Sequence, residues 1–294
     1  MANSNTSGNS SIKKSFELPK YISNTVKFLE FFSGNLALKF ALKLFFSPIK
    51  FKRPEREDKL YSAARKSILK NNLGNDFELM VWGEENEKSI LLVHGWSGRG
   101  TQFHKLIEEL LKHKWKVISF NAPAHGFSKQ KQTSLLEFTY CCLQITNELG
   151  PIDFAIGHSL GSGALLNALD QGSNFKKIVS IGTPATIGMV VEDFSKLIGG
   201  SPKIASGILK HIENNFKVDV SKISSNYLAE KYNPEGLILH DAEDADVPVK
   251  NAQLLHKSWT NSSLHLSSGL GHRKILNHED SISRIIAFLE SDVA

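Results

Sequence analysis

Ser159 stands between two glycines in the stretch GHSLG, residues 157–161, where an apolar run ends and a helical pattern begins. A serine hydroxyl is a weak nucleophile unless a base takes its proton and a third group orients that base. Candidates for both lie downstream. LILHDAEDADVPV ends a short apolar run with four carboxylates, Asp241, Glu243, Asp244 and Asp246. SSGLGHRKIL then places His272 in a glycine-rich loop just past an alternating stretch. Such a set would attack a carbonyl carbon and pass through a covalent acyl intermediate. Gly157 and Gly161 keep side chains away from the turn, so the serine backbone can take a strained conformation that projects its hydroxyl. The pattern alone is not decisive; its requirement of a strand before and a helix after is met here.

The elements that must position these residues alternate from residue 77 onward. FELMVW, SILLVH, WKVISF, DFAIG, KIVSI, GLILH and SLHLS read as strands, and SILLVH is continuous enough to be covered on both faces. Helical patterns separate them, among them RGTQFHKLIEELLKH, residues 134–148, residues 160–170, KNAQLLHKSW and the terminal SISRIIAFLE. This succession predicts an α/β domain with a mostly parallel central sheet and helices on both faces. Residues 185–232 interrupt it with three short helical patterns, and an insertion there is expected to form a helical cap over the site. The core is then expected over residues 57–184 and 233–294.

Residues 1–20 are polar and are expected to form a disordered tail without the layout of a signal peptide. Residues 21–46 are rich in Phe and Leu, with Lys39 and Lys43 on one helical face and Leu36, Phe40 and Leu44 on another. They form an N-terminal helical arm, broken near Gly34, and Pro48 and Pro54 mark the linker that follows to residue 56. The arm has two readings: a helix packed on the catalytic domain, and a helix lying on a membrane surface, a peripheral contact through residues 21–46. Because every chemical motif lies after residue 90, the arm is expected to be separable from catalysis.

A net charge of +5 and a pI near 9.0 are modest for 294 residues, and neither a recognition helix nor an RNP pattern is present, so no nucleic-acid partner is expected. Cys141 and Cys142, the only cysteines, are adjacent in a helical stretch, where buried free thiols in a reducing, cytoplasmic setting are expected. No charge-free stretch reaches the roughly 18 residues of a membrane span. No H-E-x-x-H pattern occurs, and GWSGRG lacks the Lys-Ser/Thr of a phosphate loop, so neither metal nor cofactor is expected.

The order serine, acid, histidine, with its surrounding motifs, resembles the α/β-hydrolase superfamily of serine esterase/lipase type over residues 77–294. LLVHGWSGRGTQ resembles the family's His-Gly oxyanion loop. NAPAHGFS resembles its Asp-x-Pro-Gly-His-Gly-x-Ser loop, with Asn121 in place of aspartate and Ala124 in place of glycine. GHSLG matches the nucleophile elbow. HDAEDADVP resembles the loop of the acid, with Asp241 at a usual glycine, and GLGHRKIL that of the catalytic histidine. The resemblance implies the α/β-hydrolase fold and a triad of Ser159, Asp244 and His272. It also implies an oxyanion hole from the backbone N–H groups of Trp96 and Leu160, supported by His94, Gly95, Gly157, His158 and Gly161. His94, His125 and His158 are expected to brace loops, and His104, His113 and His256 to lie on helix surfaces. Asp244 competes with Asp241, Glu243 and Asp246, whose carboxylates are expected to face solvent or cap a helix. The implied activity is hydrolysis of a small-molecule carboxylic ester or thioester. Acyl transfer or perhydrolysis on the same acyl-enzyme, and a non-catalytic binding module on this fold, remain open. A serine at 159 argues against the carboxylate nucleophiles of dehalogenases and epoxide hydrolases.

Overall fold

The computed structural model describes residues 18–85 and 87–291; the tail expected over residues 1–20 lies, through residue 17, outside the described residues. Two helices come first, α1 (Lys20–Phe32) and α2 (Gly34–Phe45). Ser33 between them is extended, and its side chain accepts from the Leu36 N–H, so it ends one helix and caps the next. After the linker come α3 (Asp58–Ala63), β1 (Arg65–Lys70), β2 (Asp76–Trp82), β3 (Lys88–Val93), α4 (His104–Lys112) and β4 (Trp115–Asn121). Then follow α5 (Leu135–Leu149), β5 (Phe154–His158), α6 (Leu160–Asp170), β6 (Lys177–Ile181), α7 (Ile187–Leu197), α8 (Pro202–Phe216) and α9 (Ser225–Tyr232). The chain ends with β7 (Glu235–Asp241), α10 (Lys250–Ser258), β8 (Ser262–Ser267), α11 (Gly271–Lys274) and α12 (Glu279–Glu290).

The strands form one sheet of eight in the order β1-β2-β4-β3-β5-β6-β7-β8. From β4 to β8 every neighbour is parallel, while β2 runs antiparallel to both β1 and β4. The central strands β4, β5 and β6 are buried along their whole length, covered on both faces, with the few polar residues among them, such as Lys116, Ser119 and Lys177, buried as well. One apolar cluster fills the face under α5, α6, α9 and α10, with Phe138, Leu165, Leu228 and Trp259 among its members. A second fills the opposite face under α3, α4 and α12, around Leu60, Leu106, Ile107 and Ile285. Cys141 and Cys142 are free thiols inside the first cluster, and burial pushes both pKa values up.

A third cluster joins the arm to the insertion between β6 and β7. Ile22 and Val26 of α1 and Ala37 and Ala41 of α2 bury against Val191 and Ile198 at α7 and Ile204, Ile208 and Ile212 of α8. A small residue on α8 allows a close approach: Leu38 of α2 fills the position where Gly207 lacks a side chain. The insertion helices start cleanly, α7 with the Thr186 hydroxyl accepting from the Met189 N–H at 3.1 Å and α8 with Pro202 in its first turn. α9 turns back onto α6 and α10. No helix among the described residues is long and apolar enough to cross a membrane.

Candidate active site

A single residue, Ser159, connects β5 to α6, and its backbone sits at φ 52°, ψ −120°, a region that costs on the order of 1–3 kcal/mol for a residue with a side chain. Three glycines make the conformation accessible. A Cβ at Gly161 would collide with the carbonyl of Val93, and one at Gly157 with the backbone of Ser162. A Cβ at Gly95, on the loop after β3, would lie 3.0 Å from the Ser159 Cβ. The turn is held from below by the Ser159 N–H donating to the Ile181 carbonyl at 2.8 Å. Leu160 begins α6, so its N–H belongs to the first turn, where helical amides have no partner within the helix.

The carboxyl ends of β7 and β8 bring the second and third groups together. His272 Nδ1 lies 2.7 Å from Asp244 Oδ2, and the Asp244 side chain is almost fully buried. The other carboxylate oxygen, Oδ1, accepts from the N–H groups of Asp246 at 2.9 Å and Val247 at 2.8 Å. His240, buried in β7, donates from Nε2 to the Val247 carbonyl at 2.8 Å and so closes the same loop. Gly182, at φ 59°, lies directly under the imidazole: a Cβ there would be 3.1 Å from His272 Nδ1 and Cε1. Asp244, Asp246 and His272 also place potential ligand atoms within 4.8 Å of one another. Both oxygens of Asp244 already accept hydrogen bonds, Oδ2 lying against His272 Nδ1.

One of the other carboxylates, Asp241, is not where the sequence expected it, while Glu243 is exposed. Asp241 does not face solvent; it is buried and ties the acid loop to the histidine loop. Its Oδ2 accepts from the Ser267 hydroxyl at 2.8 Å and the Leu270 N–H at 3.0 Å, and its Oδ1 from the Glu243 N–H at 3.1 Å. Burial raises its pKa, but these donors and the Gly271 N–H outweigh burial and hold the carboxyl below its ordinary range. Glu243 accepts from the Ser268 hydroxyl at 2.6 Å, a second tie between the two loops.

Three buried histidines brace the loops around Ser159. His94 donates from Nδ1 to the Gly95 carbonyl at 2.8 Å and accepts the Ala122 N–H at Nε2, 3.2 Å away. His125 accepts the Ser97 N–H at 2.9 Å and donates to the Pro123 carbonyl at 3.0 Å. His158 accepts from Gln102 at 3.1 Å and donates to the His272 carbonyl at 2.9 Å, so it ties the loop of His272 to the turn of Ser159. Each needs one bare nitrogen as an acceptor, so each must be neutral. Burial lowers all three pKa values, that of His125 to about 4, and the neighbours His125 and His272 add to the effect at His94 and His158. An unfolded chain binds these protons near the ordinary histidine pKa of about 6.5, so below that pH it holds protons that the folded chain refuses. Stability should therefore fall as pH drops from about 6.5 toward 4, by up to about 1.4 kcal/mol per pH unit for each histidine. Urea unfolding followed near pH 7.5 and near pH 5 checks this; an unchanged midpoint would contradict the buried neutral state.

Two departures from the family pattern have local causes. Asn121 accepts the Gly100 N–H at 2.9 Å and donates to Glu78 at 2.6 Å. An aspartate could not donate and would face the Glu78 carboxylate. Ala124 keeps the left-handed backbone of the usual glycine, φ 64°, with its N–H donated to the Ser128 hydroxyl at 2.9 Å.

Ser159, Leu160, Trp96 and His272 all line one cavity of about 430 Å³. Its walls are mostly apolar: Pro184, Ile187, Met189, Val190, Phe194 and Phe216 from the β6–β7 insertion, and Leu135 and Leu160 from below. The arm supplies a further wall, with Leu18, Ile22, Phe45, Phe46, Ile49 and Phe51. The segment after α2 also grips the loop of Trp96. The Ile49 N–H donates to the Ser97 hydroxyl at 2.9 Å, and buried Glu57 accepts from Arg99 Nε at 2.5 Å and from the Thr101 hydroxyl at 2.7 Å. The arm thus contributes a wall of the cavity. The amphipathic pattern signalled a buried face without identifying what it faces. Glu57 and Gly182 also carry no motif of their own, while His240 and Arg273, which lines the cavity beside His272, lie inside quoted motifs without having been singled out.

Residues 88–285 match the model of the alpha/beta hydrolase fold, and the chain belongs to that family. A serine hydrolase-like protein of Danio rerio is 26% identical over 86 residues, 28% of this chain. That match spans only 26% of the relative's own length. Among solved structures, an esterase of Pyrococcus furiosus superposes with a TM-score of 0.64 at 15% identity, covering 85% of this chain and 98% of the other. An esterase of Rhodococcus sp. gives 0.61 at 14% identity, covering 79% and 100%. At such identities these structures are alike in fold.

Proposed function

We propose that the chain is a serine hydrolase of carboxylic esters or thioesters. One observation carries this reading: Ser159, on a strained turn, opens into the same apolar cavity as His272, whose Nδ1 is 2.7 Å from buried Asp244. His272 takes the proton of the Ser159 hydroxyl as the oxygen attacks the substrate carbonyl carbon. Asp244 holds Nδ1–H, fixes the tautomer and stabilises the imidazolium. The N–H groups of Trp96 and Leu160 receive the charge that develops on the carbonyl oxygen. His272 returns the proton to the leaving alcohol or thiol. Water, deprotonated by the same imidazole, then releases the acid and restores the serine. The neighbours named as esterases, and the Danio rerio protein named serine hydrolase-like, support the class of reaction.

The cavity makes the acyl group the part of the substrate that is recognised. Its aliphatic and aromatic walls favour apolar chains, whose transfer from water stabilises binding by roughly 0.8 kcal/mol per methylene. With a series of p-nitrophenyl esters of increasing chain length, kcat/KM should rise with each added methylene until the cavity is filled, then fall. A fluorophosphonate should inactivate the enzyme by a single adduct. A folded protein that neither turns over any ester nor reacts with the probe would be a binding module.

A further inference from the structure

α1 is apolar on the face that looks into the cap and also on the face that looks away from it. Tyr21, Phe28, Phe31 and Phe32 are between 62 and 84% exposed, and their spacing sets them along one side of the helix. Leu36, at the start of α2, is exposed beside them. The rings touch one another, with centroids 4.7 Å apart for Phe28 and Phe32 and 5.2 Å for Phe31 and Phe32. Helix orientation is fixed by the opposite face, where Ile22 and Val26 are buried in the arm–cap cluster. An apolar patch held outward in this way marks a contact surface.

Charge selects the kind of surface. Lys20 and Lys27 are exposed on the flank of the stripe, and Lys27 lies against the Gly199 turn that leads into α8, where Lys203 is also exposed. Glu30, the only acidic residue of α1, is turned into the cap, where it accepts from the Ser201 hydroxyl at 2.5 Å and the Ser201 N–H at 3.2 Å. Among the described residues, the outward face of α1 therefore offers aromatic rings and lysines and no carboxylate. We propose that α1 docks on a lipid bilayer that carries anionic headgroups. It would lie in the plane of the interface, with the rings at the boundary of headgroups and acyl chains and the lysines against the headgroup charge. Two copies meeting on this face would oppose like charges, which disfavours a dimer there. Leu18 and Ile22, on the inner side of the same segment, line the cavity, so the docked protein would hold that cavity next to the membrane.

The test is sedimentation of the full chain with vesicles of phosphatidylcholine containing about 30% phosphatidylserine, and with phosphatidylcholine alone. The mixed vesicles should carry the protein down, and the neutral ones, or added salt, should weaken binding. A Phe28→Ser, Phe31→Ser, Phe32→Ser variant should bind at least about tenfold more weakly while keeping its circular dichroism and melting temperature, because these rings are already solvated. Ser159→Ala should bind like the wild type, which separates this surface from the chemistry. Wild-type protein that stays in the supernatant, or a triple variant that binds equally well, would overturn the proposal. So would a wild-type dimer in light scattering that the triple variant converts to monomer.

Discussion

Ser159→Ala should leave a folded protein that no longer turns over esters. The substitution removes one oxygen from a turn whose backbone is held by the Ile181 carbonyl and by clearances at Gly95, Gly157 and Gly161. Alanine adopts the same strained φ of 52° at no greater cost than serine, so the melting temperature should hardly move. The loss in kcat should be on the order of 10⁶. What remains, on the order of 10³ to 10⁴ over water, would come from the oxyanion donors and from binding alone. Mass spectrometry of wild-type protein after a fluorophosphonate should place the adduct on the peptide containing Ser159, and the alanine variant should acquire none. An active variant, or an adduct elsewhere, would remove the nucleophile from this position.

Asp244→Asn should lower kcat by about four orders of magnitude with a modest change in KM, because an amide facing Nδ1 favours the tautomer that leaves His272 unable to accept the serine proton. The comparison with Asp241→Asn gives the measurement its force. Asp241 is equally buried but contacts Ser267, Leu270 and Glu243 rather than the imidazole. Its replacement should appear chiefly as lost stability, about 1–3 kcal/mol for disturbed buried hydrogen bonds, with a far smaller kinetic effect. Asp246→Asn should change kcat little, because the hydrogen bond that Asp246 gives to Asp244 comes from its backbone N–H. A larger kinetic loss at Asp241 or Asp246 than at Asp244 would reassign the acid.

The parts of the molecule that were legible in the sequence are those whose physics is local. Short, mostly apolar runs such as KIVSI and DFAIG are strands because both faces are covered, and GHSLG is a tight strand-to-helix turn because only glycine clears its neighbours. β1 escaped notice because it is an exposed antiparallel edge strand, RKSILK, in which charged residues mask the alternation. Four carboxylates within six residues could not be ranked by pattern alone, since their roles depend on which oxygen meets a loop from β8. Asn121 was visible as an oddity, but its reason, Glu78, lies on a neighbouring strand. The arm's wall in the cavity was the hardest to foresee, because amphipathicity is silent about the partner.

That wall has a consequence for biosynthesis. α1 and α2 leave the ribosome well before α7 and α8, the helices whose surfaces bury their inner face; Glu30 and its partner Ser201 are 171 residues apart. At roughly 5–20 residues per second, synthesis leaves that face without its native partner for on the order of ten to thirty seconds. Throughout that interval Ile22, Val26, Leu29 and the row of phenylalanines form a sticky nascent segment. The same stretch that completes the finished cavity must be kept from aggregation, by chaperones or by transient contacts, until the later helices arrive.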